Sequence, residues 1–455
     1  MYTLFWETMF QDMKKKCSEI FVLSSIDRKY LWAFFILSLT VLILLVTVMD
    51  IFGSKGDVYA YFDFACNIFN GQMPYSDFTF EYPPFTIPFI LIPRIFTSDL
   101  HTYCILFSFF AWIFLMIGAI FLFKIAKLHG STSSRMIIFA VLTILMLSTF
   151  VVSRYDIFPT VLCIIGVYFY FQKKYDYAWI IIAVAAMTKI FPVLFIPVLL
   201  IPLFLKKDYS NFIKGILISA LVALIISLPF MIADMSTAFD YMSYHFDRGL
   251  QVESFAGSFV LFVNIFNPGT ATIVANFGSH NIVGSLADAI TPVITYALLV
   301  AFLFFLVWFF VTLYKKRDSL DSDIMQKIAA AAGVSMLLIF LTFNKVFSAQ
   351  FVIWVLMLLA LVQLNVFKTG QRDRLIILAV VYGVLSRIYS SFYFSIVEDM
   401  DSIFITILFL RNIVHVIITV YLIHLLATAI KSPGPDDQKS KVEEFFKTLK
   451  VRLGL

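Results

Sequence analysis

The feature that most constrains this chain is repetition: apolar runs of about 17 to 25 residues recur from residue 30 to residue 428. A helical run of that length crosses the roughly 30 Å hydrocarbon layer of a bilayer, because each residue adds about 1.5 Å. In lipid every backbone N–H and C=O needs an internal partner, so helices are the default spanning element. The spacing predicts spans near 30–52, 101–123, 136–152, 157–172, 178–188, 190–205, 213–233, 291–314, 327–343, 349–367, 374–391 and 402–428. About twelve spans, within a range of ten to thirteen, put both chain ends on one side. With 61% hydrophobic and 14% charged residues, a soluble globule is excluded, since it could not hide so much apolar surface. The expected fold class is an all-α integral membrane protein, a polytopic helical bundle.

Sidedness follows from Lys and Arg, which accumulate in cytoplasmic loops. Lys14 to Lys16, Arg28, Lys29, Lys124, Lys127, Arg135, Lys173, Lys174, Lys206, Lys207, Lys214, Lys315 to Arg317, Lys327, Lys368, Arg372, Arg374 and six tail residues fall on one face. They are 26 of the 34 basic residues, so both termini are expected in the cytoplasm of a cell whose plasma membrane, expected to be prokaryotic, holds the chain. Residues 1–29 are expected as a cytoplasmic amphipathic segment, 30–430 as the membrane domain and 431–455 as a basic cytoplasmic tail. The net charge of +5 reflects this loop bias, and no interleaved basic and aromatic stripe suggests a nucleic-acid partner. The other eight cations are Lys55, Arg94, Arg154, Lys189, Arg248, Lys345, Arg387 and Arg411, which the orientation rule does not explain. A cation at membrane depth usually faces a cavity or a partner, and several near one leaflet suggest an anionic ligand.

Two outer stretches are long, about 53–100 and about 234–290, and both mix acids, cations and aromatics. Asp57 follows the first span, Tyr61 comes one helical turn later, and Gly71, Pro74 and Tyr75 mark a turn. Residues 57–69 read as a short helix on the membrane surface. Residues 83–97, with prolines at 83, 84, 88 and 93, read as an interfacial or re-entrant segment. Glu81-Tyr82-Pro83-Pro84 reads mainly as a device that turns the chain into the membrane.

Asp57 with Tyr61, Gly71-Gln72-Met73-Pro74-Tyr75 and Tyr82-Pro83-Pro84 resemble the first-loop pattern of GT-C fold membrane glycosyltransferases, specifically glycosyltransferase family 87. Arg154-Tyr155-Asp156 with Pro159, Lys189 with Pro192, "YHFDRGLQVES" (244–254) and "NKVFSAQFVIWVL" (344–356) resemble later segments of that family in the same order. The resemblance implies a GT-C bundle with two extracytoplasmic loop regions containing interfacial helices. It also implies an inverting transfer of one hexose, mannose first among candidates, from a polyprenyl-phosphate donor. The receiving hydroxyl belongs to a glycolipid, a lipid-linked glycan or another cell-envelope acceptor on the extracytoplasmic side.

A hydroxyl nucleophile needs a positioned base, and the resemblance places that role on Asp57. The departing phosphate needs preorganised cationic donors, for which Arg248, Lys345, Lys189, His245 and Arg387 are candidates. Tyr61, Tyr82, Glu81, Arg154, Asp156, Glu253, Asn344 and Gln350 are candidates for sugar or acceptor contact. No cofactor is expected beyond the lipid-linked donor. The acidic cluster Glu398, Asp399 and Asp401 reads as a solvated loop, and no metal is expected. A twelve-span secondary transporter of an anionic or sugar-like solute is the rival. Transporters usually show repeated halves, and the second outer loop repeats no motif of the first.

Overall fold

The computed structural model describes residues 25–47, 57–129 and 133–435, with residues 440, 442, 444 and 448 of the tail. The expected surface segment near the start, Lys14 to Lys16, Lys55 and most of the tail lie outside the described residues. So do the side chains of residues 244–247, His245 among them.

Every expected span is represented by helix. After α1 (Ser25–Thr47) come α2 (Asp57–Phe69), a 3-10 turn at Pro84–Thr86, α3 (Ile87–Phe96), α4 (Leu100–Leu128), α5 (Ser133–Ser153), α6 (Ile157–Phe171) and α7 (Tyr175–Thr188). A second 3-10 turn (Phe191–Leu194) opens α8 (Phe195–Leu205), which is followed by α9 (Tyr209–Ala233). The second outer loop folds as α10 (Asp240–Asp247), β1 (Leu250–Gln251), α11 (Phe255–Phe266), β2 (Thr272–Asn276) and β3 (Ser279–Val283). The chain ends through α12 (Ser285–Tyr314), α13 (Ser322–Phe343), α14 (Val352–Leu359) between two 3-10 turns, α15 (Thr369–Ser391), α16 (Tyr393–Val397) and α17 (Ser402–Lys431). Short polar side chains start several of these helices by accepting from exposed N–H groups. Asp99 accepts from Thr102 at 2.8 Å, Asp321 from Ile324 at 2.7 Å, and Asp401 from Ile403 at 2.8 Å. Asp401, one of the clustered acids, is thus a helix cap.

Among the described residues eight helices are long and apolar enough to cross a membrane: α1, α4, α5, α9, α12, α13, α15 and α17. The other four expected spans are α6, α7, α8 and α14, each of 8 to 15 residues. At 15 residues α6 reaches roughly 22 Å. Its side chains at Val161, Cys163, Ile164 and Val167 are fully buried, as are Trp179 and Ile182 of α7. A helix wrapped by other helices need not match the bilayer thickness, and hydropathy alone does not separate it from one that faces lipid. Leu217, Leu221 and Leu224 of α9 and Leu299, Leu303 and Val307 of α12 are exposed and form apolar outer faces. One continuous apolar core runs through the bundle, and a second packs the outer loop on α15 and α17.

The all-α description holds for the bundle, but the second outer loop carries a three-stranded antiparallel sheet in the order β1-β3-β2. Phe277 and Gly278, with φ of 48° and 63°, form the two-residue turn between β2 and β3. Helix α12 begins at Ser285, so this loop ends earlier than the expected 290. The connections gather at two ends of the bundle. At one, Lys206 donates to the carbonyls of Arg317 and Leu320, and Lys173 pairs with Asp323. At the other, the loops after α1, α5, α9, α13 and α15 converge, and the remaining candidate residues lie there.

Candidate active site

Asp57 is the first residue of α2, where the unpaired N–H groups of a helix start favour a negative charge. Its carboxylate is ion-paired with Arg154 and remains 39% exposed. Arg154 stands in the turn between α5 and α6, with its N–H donating to the Phe150 carbonyl at 3.0 Å. The turn sends three consecutive side chains in different directions. Arg154 reaches Asp57, Tyr155 enters a ring cluster, and Asp156 is 1% exposed beneath it. Asp156 Oδ1 accepts from Lys189 Nζ at 2.6 Å and from Trp354 Nε1 at 2.8 Å. Lys189 also lies over the rings of Tyr155, Phe351 and Trp354 at 4.4, 4.9 and 4.9 Å. Its place comes from the break between α7 and the 3-10 turn at Phe191–Leu194, where Thr86 Oγ1 donates to the Thr188 carbonyl at 2.7 Å.

The first loop folds over this group. Tyr61, fully buried, packs edge-on against Tyr82 and Tyr155, with ring centroids 5.8 Å away in each case. Tyr82 is also buried, 4.8 Å from Tyr155, and its carbonyl accepts from the Tyr75 hydroxyl at 2.6 Å. Both rings are held in place by this packing. Glu81 is half-buried, hydrogen-bonds Tyr82, and lies within electrostatic range of Tyr61, Tyr155 and Lys189.

A second polar group comes from the other outer loop. Gln251 of β1 donates its N–H to the Lys345 carbonyl at 2.9 Å. Its side chain accepts from the Phe347 N–H at 2.8 Å and donates to Ser348 at 2.9 Å. These bonds bring the stretch holding Arg248 and Lys345, both half-buried, against the turn after α13. Two residues on, Glu253 is 5% exposed and accepts from the Tyr389 hydroxyl at 3.1 Å and from Gln251 Nε2 at 3.2 Å. Burial pushes its carboxyl up to about 7, against the pull of Arg411 and Arg154. Arg411, fully buried on α17, donates to the Glu253 carbonyl at 3.3 Å and lies over the Phe347 and Tyr389 rings. Asn412 donates to the same carbonyl at 3.2 Å.

Of the candidate residues, Asp57, Tyr61, Glu81, Tyr82, Arg154, Asp156 and Lys189 are thus brought together, and Glu253 joins them through Arg154. Asn344 ends α13, with its N–H on the Phe340 carbonyl at 2.8 Å, and Gln350 lies in the following 3-10 turn. Arg387 is half-buried on α15, where its carbonyl accepts from the Ser390 and Ser391 hydroxyls at 3.0 and 2.9 Å. Trp354, Gln251, Tyr389 and Arg411 also bond or pack within these groups and were not among the candidate site residues. Gln251 and Trp354 stand in the family-like segments 244–254 and 344–356, Arg411 stood out as an unexplained cation within a span, and Tyr389 carried no signal.

The family model for Glycosyltransferase family 87 matches residues 78–340, more than half of the chain. The chain belongs to glycosyltransferase family 87. Membership in family 87 carries a sugar-transferring activity and a membrane setting, and the transporter alternative falls away. The family 87 match includes Glu81, Arg154, Asp156, Lys189 and Glu253, whereas Asp57 precedes it and Lys345 and Arg411 follow it. No curated protein matches this chain. Among solved structures, the chain is similar to ArnT from Cupriavidus metallidurans bound to undecaprenyl phosphate. The identity is 12%, the TM-score is 0.46, and the match covers 89% of this chain and 78% of that one.

Proposed function

We propose that this family 87 protein moves one hexose, with mannose the first candidate, from a polyprenyl-phosphate donor to a hydroxyl of a glycolipid, lipid-linked glycan or other cell-envelope acceptor. The active site faces the extracytoplasmic side, and the reaction inverts the anomeric carbon. The acceptor oxygen forms a bond to that carbon as its bond to the phosphate oxygen breaks. Asp57 takes the acceptor proton, and the polyprenyl phosphate leaves with the electron pair. Arg248 and Lys345, together with His245 and Arg387, supply positive charge to the leaving phosphate. Lys189, already bonded to Asp156 and covered by three rings, acts through Asp156. Asn344, Gln350 and Glu81 line the acceptor or sugar side. No divalent cation is required.

The observation that carries this reading is the difference in exposure among the carboxylates. Asp57 keeps 39% of its side chain open to a ligand, whereas Asp156 and Glu253 are 1% and 5% exposed. A base must come within hydrogen-bond reach of the proton that it removes. Purified Asp57→Asn, supplied with radiolabelled polyprenyl-phosphate mannose and a lipid extract of the host membrane, is expected to lose transfer by about 10²–10⁴-fold. Full transfer by this variant overturns the assignment.

A further inference from the structure

Arg154 has more than one carboxylate neighbour. It is ion-paired with Asp57, and Asp156 and Glu253 both lie within electrostatic range of its guanidinium. Asp156 is already bonded to Lys189 and Trp354. Glu253 is held in place from several elements: the Tyr389 hydroxyl on α15, Gln251 on β1 and the Ala349 N–H. The charges that face it are Arg411 on α17 and Arg154, while Tyr393 on α16 lies within range of both Glu253 and Arg248. The mechanism above leaves Glu253 without a role.

A carboxylate in a close pair with an arginine is a weak base, since the guanidinium favours its charged form by about one to three pKa units. A second negative charge near the same guanidinium offsets part of that field. We propose that Glu253 is a positioning residue for the transfer reaction: it competes with Asp57 for Arg154 and so sets how strongly Asp57 can take the acceptor proton. This rests on Asp57 being the base. Glu253 is well suited to the part, because burial holds its titration near neutrality, where small changes in its surroundings alter its charge. As pH rises through about 7, Glu253 gains its charge, Arg154 is drawn toward it, and the rate climbs.

The test is the pH profile of transfer, from pH 5 to pH 9, with the donor and lipid extract named above. Wild type is expected to show a rise in kcat through about pH 7. Glu253→Gln keeps the shape and one acceptor oxygen, turns the other acceptor into a donor, and removes the charge. It is expected to lose that rise and to fall about three- to tenfold in kcat at pH 8, with the donor KM little changed. Glu253→Asp is expected to keep a rise, displaced in pH, and it carries the test if the glutamine variant does not fold. A role confined to structure lowers the folded fraction at every pH and leaves the rise in place. That outcome overturns the proposal, as does a flat profile for Glu253→Asp. Asp57→Asn, assayed alongside, separates the two levels. If it retains transfer, the reading of the base has failed. If it is inactive while Glu253→Gln keeps the wild-type profile, only the role of Glu253 has failed.

Discussion

Glu253 and Asp57 show how differently one side-chain chemistry behaves in two surroundings. Asp57 begins a helix, pairs with an arginine and stays open, so its charge is favoured. Glu253 is closed among Tyr389, Gln251 and the Arg411 and Asn412 side chains of α17, and desolvation raises its carboxyl to about 7 from an ordinary 4.5. A folded-state value above the unfolded one means that the fold holds the proton more tightly. Stability from this group is complete below about 4.5 and is lost as pH rises through about 7. Wild type is therefore expected to lose thermal midpoint between pH 5 and pH 8, whereas Glu253→Gln, which cannot ionise, shows a smaller loss. Scanning fluorimetry of the detergent-purified pair, with matching slopes as the contrary result, checks the sign. From sequence, Asp57 was identifiable by its neighbours along the chain. Apart from Gln251, the side chains that partner Glu253 lie 136 and 158 residues away, in α15 and α17, and no local pattern announces them.

At the scale of elements, α2 and the proline-rich entry into α3 follow from local rules. Asp57 starts the helix, Gly71 ends its turn, and the prolines interrupt the apolar run where it enters the bundle. The β2–β3 hairpin was not among the expectations for this loop: "TIVAN" and "SHNIV" flank a two-residue Phe-Gly turn, a signal that the surrounding helical pattern hid. The junction between β1 and α11 controls where Glu253 points. Ser254 caps α11 by accepting from the Gly257 N–H at 3.0 Å, and a Cβ on Gly257 would lie 2.1 Å from the Gln251 carbonyl oxygen. Backbone cannot swing aside as a side-chain end can. Gly257→Ala is expected to destabilise the protein by about 1–3 kcal/mol. It is also expected to lower kcat at pH 8 by displacing Gln251 and Glu253. Wild-type kinetics in the purified variant would count against this account of the junction.

For the molecule as a whole, the outer end carries the proposed chemistry and the opposite end ties the helices together. There Arg135 of α5 donates to Asp373 of α15 at 2.7 Å, and Ser440 bonds Asp373 at 3.1 Å, with all three nearly closed to solvent. Removing one member of a buried ion pair leaves the other charge uncompensated and costs about 3–5 kcal/mol. Asp373→Ala is expected to lower the thermal midpoint strongly while leaving transfer per folded molecule near wild type at low temperature. A comparable loss of midpoint and of specific activity would instead link the two ends.

Sequence alone determined the membrane class, the approximate positions of the helices, the two long loops and the family resemblance, because apolar period, proline and turn residues act over short stretches of chain. Tertiary structure decided which helices are wrapped by protein and which face outward, since both kinds are equally apolar. It also decided the company of each charge. Asp57 meets Arg154 across almost one hundred residues, and Glu253 meets Arg411 across more than one hundred and fifty. Electrostatic and packing energies depend on distance in space, and the helix packing that sets those distances is not written in any local run of residues.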